Sequence, residues 1–377
     1  MNIVKYPGGK EREIDIIQSY LPLKINNYYE PFVGGGAVYL SMDADHYYIN
    51  DFSKDLMNLY DCVAKQDEEF FASMNEINTL WKSIDAYDHS GIFELYIKFR
   101  DGEITDKQLM NLLNDYVKTH SAELLSFILP MNCGNTDNFL TDLKKDTYKK
   151  LLRMKELNFS KKVISDEDIH ENIVGVLKAG FYMYIRSLYD HMGHYTNGFK
   201  AMLYLFIRDF CYSSMFRFNA TGGFNVPYGG MSYNRKYYDK VIEKYKSDVI
   251  MKHMGKTTFG CMDYLDFLKL YPPKQDDFMF VDPPYDSFFS TYDQKEFDAK
   301  CQKRLANYLI NECACNFMLD IKYTDFIASL YKEGQMCKNG NPLYIASFDK
   351  KYSVSFMNRN LRNASHILVM NYRSTLC

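Results

Sequence analysis

Four consecutive residues, Asp282-Pro283-Pro284-Tyr285, carry the clearest chemistry in this chain of 377 residues. They follow an apolar run, Phe278–Val281, that reads as a β-strand. Two prolines remove two backbone donors and stiffen the chain. They also leave carbonyls to point into a cleft at the carboxyl edge of a sheet, where ligands bind in open α/β folds. The Asp282 carboxylate and the Pro283 carbonyl are each suited to accept one hydrogen from an exocyclic amine. Tyr285 is suited to stack on the ring that bears that amine. By themselves these residues could mark only a turn after a strand, so the weight falls on what accompanies them.

Glu30–Gly36 (EPFVGGG) is the second group. Glycines after a first strand let a ligand approach the backbone closely. The pattern is not GxGxxG, which disfavours a nicotinamide-dependent oxidoreductase. Asp51 lies seventeen residues beyond Gly34, at the end of the next strand. An acid there accepts hydrogen bonds from ribose hydroxyls in doubly wound folds. The plainer alternative is a cap for a helix over Ser53–Tyr60.

These groups need elements to hold them. Asn27–Phe32 reads as a strand, Val33–Gly36 as a turn, Ala37–Met42 as the start of a helix, and Tyr47–Asp51 as a second strand. Residues 61–235 are mostly helical in pattern, over Asp67–Ile84, Asp106–Leu125, Asp146–Leu157 and Ala201–Met215. Near their end, Phe216–Gly230 places two aromatic runs around Ala-Thr-Gly-Gly, a hairpin signal. The α/β texture then returns, with a strand over Asp277–Asp282, a helix over Glu296–Glu312, and strands at Asn316–Ile321 and His366–Tyr372. The expected architecture is an α/β domain built from 1–60 and 236–377, interrupted by a helical domain over 61–235.

Whole-chain features exclude several classes. No apolar run approaches the ~18 residues of a membrane span, and the N-terminus lacks the apolar core of a secretory signal. Nine Cys without a CxxC read as reduced cytoplasmic thiols rather than a disulfide frame or zinc site. The eight His show no metal-ligand spacing, and the 20 Met read as core filler. Aromatic residues make up 16%, which AT-rich coding explains in the main, with base stacking as a partial alternative. The formal charge of −3 hides an uneven spread: residues 1–60 sum to −3, 61–235 to −3, and 236–377 to +3. Lys144–Lys162 alone sums to +6, a phosphate-contacting face or simply a solvated one.

Taken together, the sequence resembles the Dam-type DNA adenine-N6 methyltransferases. KYPGGK (Lys5–Lys10), YYEPFVGGGAVYL (Tyr28–Leu40), YINDFSKDLMNLY (Tyr48–Tyr60), FNVPYG (Phe224–Gly229), FVDPPY (Phe280–Tyr285) and HILVMNY (His366–Tyr372) are similar to that family's motifs, in order. The resemblance implies a Rossmann-like fold with an inserted target-recognition domain carrying a DNA-reading hairpin, 216–230. It implies S-adenosylmethionine as methyl donor and double-stranded DNA as substrate, with no metal. Catalysis would fall to Asp282, Pro283, Pro284 and Tyr285. Tyr6, Gly8, Gly9, Lys10, Glu30, Pro31, Phe32, Gly34, Gly36, Asp51, Phe52, Asp263 and Tyr264 match cofactor-binding positions. Arg217, Phe218, Asn219, Asn225 and Pro227 match DNA-contacting ones.

Two departures bear on specificity. GATC-specific members carry Leu-Arg where this chain has Ala220-Thr221, so a base-reading guanidinium is missing, which counts against GATC. Residues 104–198 have no counterpart in compact members. They could read further bases, grip another partner or brace the hairpin. Trp81, Tyr182, Tyr184 and Tyr189 lie in the wider insertion, 61–235, the tyrosines at spacing that favours packing over base contact. Asn358, Arg359 and Arg362 precede the last strand and are candidate phosphate contacts. The expected function is a cytoplasmic, site-specific DNA adenine methyltransferase, solitary or partnered with a restriction endonuclease or defence system. The alternatives are a DNA-binding module without turnover and an RNA or nucleotide amino-methyltransferase.

Overall fold

In the computed structural model the chain folds into two units, Met1–Ala64 with Asp248–Cys377, and Lys65–Ser247. The structure describes residues 1–128, 131, 136–160, 163–219, 221–284, 297–351 and 363–374. Tyr285, Ala220, Lys161, Lys162, Asn358, Arg359 and Arg362 lie outside the described residues.

The first unit opens with α1 (Ile14–Ser19), β1 (Asn27–Glu30), β2 (His46–Asn50) and α2 (Lys54–Ala64). The second unit contains α3 (Glu68–Ala86), α4 (Ser90–Arg100), α5 (Asp106–Thr119), α6 (Ser121–Ser126), α7 (Asp137–Ser160), α8 (Asp166–Asp190), α9 (Asn197–Phe210) and α10 (Asp239–Tyr245). The chain then completes the first unit with α11 (Asp248–Gly255), β3 (Thr257–Gly260), α12 (Tyr264–Leu270) and β4 (Phe278–Val281). α13 (Ala299–Asn311), β5 (Asn316–Lys322), α14 (Asp325–Leu330), β6 (Tyr344–Lys351) and β7 (Asn363–Met370) follow.

Strand order in the sheet is β3-β2-β1-β4-β5-β7-β6. The first five are parallel, with Tyr28 of β1 facing Tyr47 on one side and Phe278 on the other. β7 runs antiparallel to both β5 and β6. Parallel strands need cover on both faces, which is why β4 reads as an unbroken apolar run with every residue buried. One face packs on α12, α13 and α14 through Phe267, Leu305, Leu309 and Ile327. Beyond β1 and β2, Tyr28, Tyr39, Tyr47 and His253 form a second aromatic layer, with the Tyr47 and His253 rings 4.0 Å apart. The strand order turns back on itself between β1 and β4. In such sheets the crevice outside the carboxyl ends at that point is where ligands bind.

Sequence pattern and structure differ in places. Ala37–Met42 forms only a single 3-10 turn, Tyr39–Ser41, before the chain becomes extended at Met42. The glycine turn consumes most of the short connection, and Asp45 must already bond to Asn26 to start β2. The helix expected over Ala201–Met215 ends at Phe210, because Cys211 pairs antiparallel with Tyr228 at the hairpin base. Asp106–Leu125 is interrupted at His120, between α5 and α6.

In the second unit α3, α8 and α9 close around Trp81, whose ring meets Phe181, Phe206 and Phe210 at centroid distances of 5.7, 5.5 and 4.7 Å. The wholly buried Lys178 ammonium lies 4.7 Å from the same ring and 2.7 Å from an Asp85 oxygen, which offsets its desolvation. α10 joins this unit, since the Tyr238 amide donates to Asn78 on α3. No helix among the described residues is long and apolar enough to cross a membrane.

Candidate active site

Both motif groups converge on the β1/β4 switch point. Glu30 ends β1 with its side chain buried, and the Tyr28 hydroxyl donates to it at 2.5 Å. Burial pushes the Glu30 carboxyl well above the ordinary carboxylate range. The Tyr28 hydrogen bond pulls it partly back, while the Asp282 and Asp51 charges add to the rise.

The glycine turn that follows is shaped by close approach. Gly34 and Gly36 have φ of +48° and +74°, in the left-handed region. A Cβ at Gly34 would sit 3.1 Å from the Tyr6 ring, and one at Gly36 only 2.3 Å from the Tyr60 hydroxyl. Asp51 braces this turn, its two oxygens accepting from the Gly34 amide at 3.1 Å and the Ser53 amide at 3.0 Å. The following helix is capped by Ser53, whose Oγ accepts from the Leu56 amide, so the bonds of Asp51 to Gly34 and Ser53 hold the loop before the helix. Asn50, almost wholly buried, donates to the Pro31 and Met262 carbonyls and accepts from the Met262 amide, tying the carboxyl ends of β1, β2 and β3 together. Phe52, by contrast, is 45% exposed.

The N-terminal segment is drawn onto the same turn. The Ile3 amide donates to the Gly35 carbonyl, and a turn closed by Gly9 to Tyr6, with Gly8 at φ +77°, redirects the chain. Lys10 follows, 3% exposed, with its Nζ 2.8 Å from Asp282 Oδ1 and 3.2 Å from Asp320 Oδ2. The other Asp320 oxygen lies 3.0 Å from His366 Nδ1, and both residues are fully buried. Pro283 is buried, and the Pro284 carbonyl accepts from Gln302 on α13 at 3.1 Å. Asp320, His366 and Gln302 are not singled out by the sequence as site residues, although His366 opens the HILVMNY run. The available signal was an ionisable residue inside each of two apolar strands.

Asp263 and Tyr264 lie at the start of α12. Asp263 caps that helix through Leu265 and pairs with Arg304 at 2.6 Å. The Arg304 guanidinium also lies 4.9 Å from the Tyr264 ring, which packs on Phe32 at 5.1 Å. Burial pushes the Tyr264 phenol up to about 12, so it stays protonated at neutral pH.

In the second unit, the hairpin alternates. Arg217, Asn219, Asn225 and Pro227 are exposed, whereas Phe224 and Val226 are buried. Phe218 is half-buried, its ring against Phe216 and Phe224 at 5.7 and 5.8 Å. Asn219 Oδ1 accepts from Thr221 and Gly223, so the side chain closes the turn. α8 braces the whole: Asp190 accepts from the Phe224 amide, the Tyr182 hydroxyl donates to the Val226 carbonyl, and Tyr189 packs on Phe216 and Phe224. The basic run on α7 is partly consumed within the fold, Lys149 by Asp146, Arg153 by Glu156, Lys144 by Asn114 and Lys155 by the Phe99 carbonyl. Among the described residues no cluster of His, Cys, Asp or Glu is arranged to hold a metal ion.

A doubly wound sheet with a glycine turn after β1 and an Asp-Pro-Pro turn after β4 defines a Rossmann-like methyltransferase fold. The sequence model of the D12 class N6 adenine-specific DNA methyltransferases matches residues 6–133 and 106–341, and the chain belongs to this family of DNA adenine methyltransferases. It is similar to the type II methyltransferase M.CviBI of Paramecium bursaria Chlorella virus NC1A, 27% identical over 237 residues, 57% of this chain and 82% of that protein. Similarity to the type II methyltransferase M1.LlaDCHI of Lactococcus lactis subsp. cremoris is 24% over 307 residues, 80% and 73% of the two chains. The DNA adenine methylase of Serratia marcescens is 36% identical over 92 residues, 24% and 32% of the two chains.

The glycine turn yields a direct test. Gly36→Ala places a Cβ both at positive φ and against Tyr60. It is expected to destabilise the protein by more than the ~1–2 kcal/mol of left-handed backbone strain alone. Tyr60→Phe in the same chain should recover part of the loss, read as the thermal midpoint. A Gly36→Ala protein as stable as the parent would contradict the close approach.

Proposed function

We propose that the chain methylates the N6 amine of an adenine turned out of duplex DNA at one short sequence, with S-adenosylmethionine as donor. The observation that carries this reading is Asp282, held by Lys10 at the carboxyl edge of β4 across from the buried Glu30. The residues present fit the donor. Glu30 offers a buried carboxyl for a cationic ligand, and Gly34 and Gly36 keep open a turn that any Cβ would crowd. Tyr6, Gly8, Gly9, Pro31, Phe32, Asp51, Phe52, Asp263 and Tyr264 complete the proposed set of cofactor-binding residues. When bound, the cofactor supplies an electrophilic methyl group.

An adenine within a duplex cannot present its amine to that methyl group, so it must leave the stack, at a cost of roughly a few kcal/mol. Stacking on Tyr285 returns about 1–3 kcal/mol of it. The amine donates one hydrogen to Asp282 and one to the Pro283 carbonyl, which orients the nitrogen and favours the positive charge that builds on it during transfer. The methylated nitrogen then gives up a proton to Asp282 or to water. Asp282 need not be a strong base for this, which agrees with a carboxylate already paired to an ammonium. Arg217, Asn219, Asn225 and Pro227 present the DNA-reading face, and Phe218 supports it from within. The likeness to type II methyltransferases supports a restriction–modification setting with a cognate endonuclease as partner.

Asp282→Ala is expected to abolish methyl transfer to DNA while S-adenosylmethionine still binds, as measured with labelled donor and by calorimetry. Turnover near the parent's would overturn the assignment.

Glu30 gives a separate test. Its carboxyl is raised above the ordinary carboxylate range, chiefly by burial, so its protonated form persists to higher pH than that of a free carboxyl. A cationic ligand favours the ionised form, so binding should release a proton, and affinity should rise with pH until Glu30 ionises unaided. Calorimetry across a pH series, in buffers of different ionisation enthalpy, should detect that release and lose it in Glu30→Gln. Binding without proton exchange would remove Glu30 from the cofactor site.

A further inference from the structure

We propose that Asp320 and His366 are positioning residues for methyl transfer, acting on Asp282 through Lys10. The inference rests on reading Asp282 as the acceptor of the adenine amine. Asp282 follows β4 directly, and the register that sets Val281 beside Leu319 brings Asp320 alongside it on β5. Asp282 is 20% exposed, whereas Asp320 and His366 are fully buried. The three side chains and Lys10 form one line: His366 Nδ1 to Asp320 Oδ1 at 3.0 Å, Asp320 Oδ2 to Lys10 Nζ at 3.2 Å, and Lys10 Nζ to Asp282 Oδ1 at 2.8 Å.

Each link fixes the next. A carboxylate facing an ammonium is ionised and only accepts, so His366 donates from Nδ1 and thereby sets the plane of the Asp320 carboxylate. That carboxylate anchors the Lys10 ammonium, which ends a side chain of four rotatable bonds and otherwise has wide freedom. Lys10 in turn holds Oδ1 of Asp282, which fixes the direction of its second oxygen. A buried ionic line of this kind adds little to stability, because desolvation of the charges cancels most of their attraction. Placed beside the residue that must meet the amine in one orientation, it supplies preorganisation. Misplacing a reacting group by about 1 Å can lower a rate by roughly a hundredfold.

The test uses the full-length protein under single-turnover conditions, with duplex DNA from a methylation-free host and labelled S-adenosylmethionine. His366→Leu should lower the rate constant of methyl transfer by about tenfold to a hundredfold, with cofactor and DNA dissociation constants within about threefold of the parent. His366→Asn, whose side-chain amide can donate from near the position of Nδ1, should return the rate to within about threefold. Thermal midpoints are measured alongside. A parental rate in His366→Leu, with Asp282→Ala inactive, would overturn the positioning role and leave the reading of Asp282 standing. Parallel losses of rate, cofactor affinity and thermal midpoint, unrelieved by His366→Asn, would mark a merely structural role and overturn it equally. Methyl transfer by Asp282→Ala would instead defeat the reading on which the inference rests.

Discussion

The ammonium of Lys10 sits between two carboxylates from adjacent strands, and the first unit is organised around that contact. Asp282 and Asp320 end up side by side because β4 and β5 are parallel neighbours in register. Two like charges at that spacing repel, and a buried cation between them is what makes the arrangement tenable. The cation comes from the start of the chain, so the N-terminal segment has to be pinned near the sheet edge. Ile3 does this by donating to Gly35, and the Tyr6–Gly9 turn aims Lys10 inward. The same segment lays the Tyr6 ring against Gly34. Closing the ion pair and shaping the glycine turn are therefore one event.

The second unit solves a different problem. A two-stranded hairpin alone is marginal in water. Here its inward face of Phe216, Phe218, Phe224 and Val226 is held by Tyr182, Tyr189 and Asp190 from α8, while Arg208 lies 4.1 Å from the Phe216 ring. Of the three roles open to the added helices from the sequence, bracing the hairpin is the one for which these contacts speak. It also leaves the outward positions, Arg217, Asn219, Asn225 and Pro227, as a rigid exposed row.

Much of the site was legible because its motifs are local. The Glu30–Gly36 turn, Asp51 and Asp282–Pro284 each announce themselves within a few residues, and a glycine or proline run leaves little choice of conformation. What depends on strand pairing was not legible. Asp320 is one acid in an apolar strand and His366 one histidine within another, and only the β4-β5-β7 order brings them into line with Lys10. β3 and β6 carry too little apolar pattern to be read as strands, since both are edges.

The central claim is that this chain places a methyl group on the adenine amine of DNA at a defined sequence. Expressing it in a host free of DNA methylation and mapping modified bases by single-molecule sequencing tests that most directly. The account predicts N6-methyladenine confined to one short recurrent sequence, at a site other than GATC. Unmodified DNA from cells that contain the folded, cofactor-binding protein would contradict it, as would methyl groups found only on RNA.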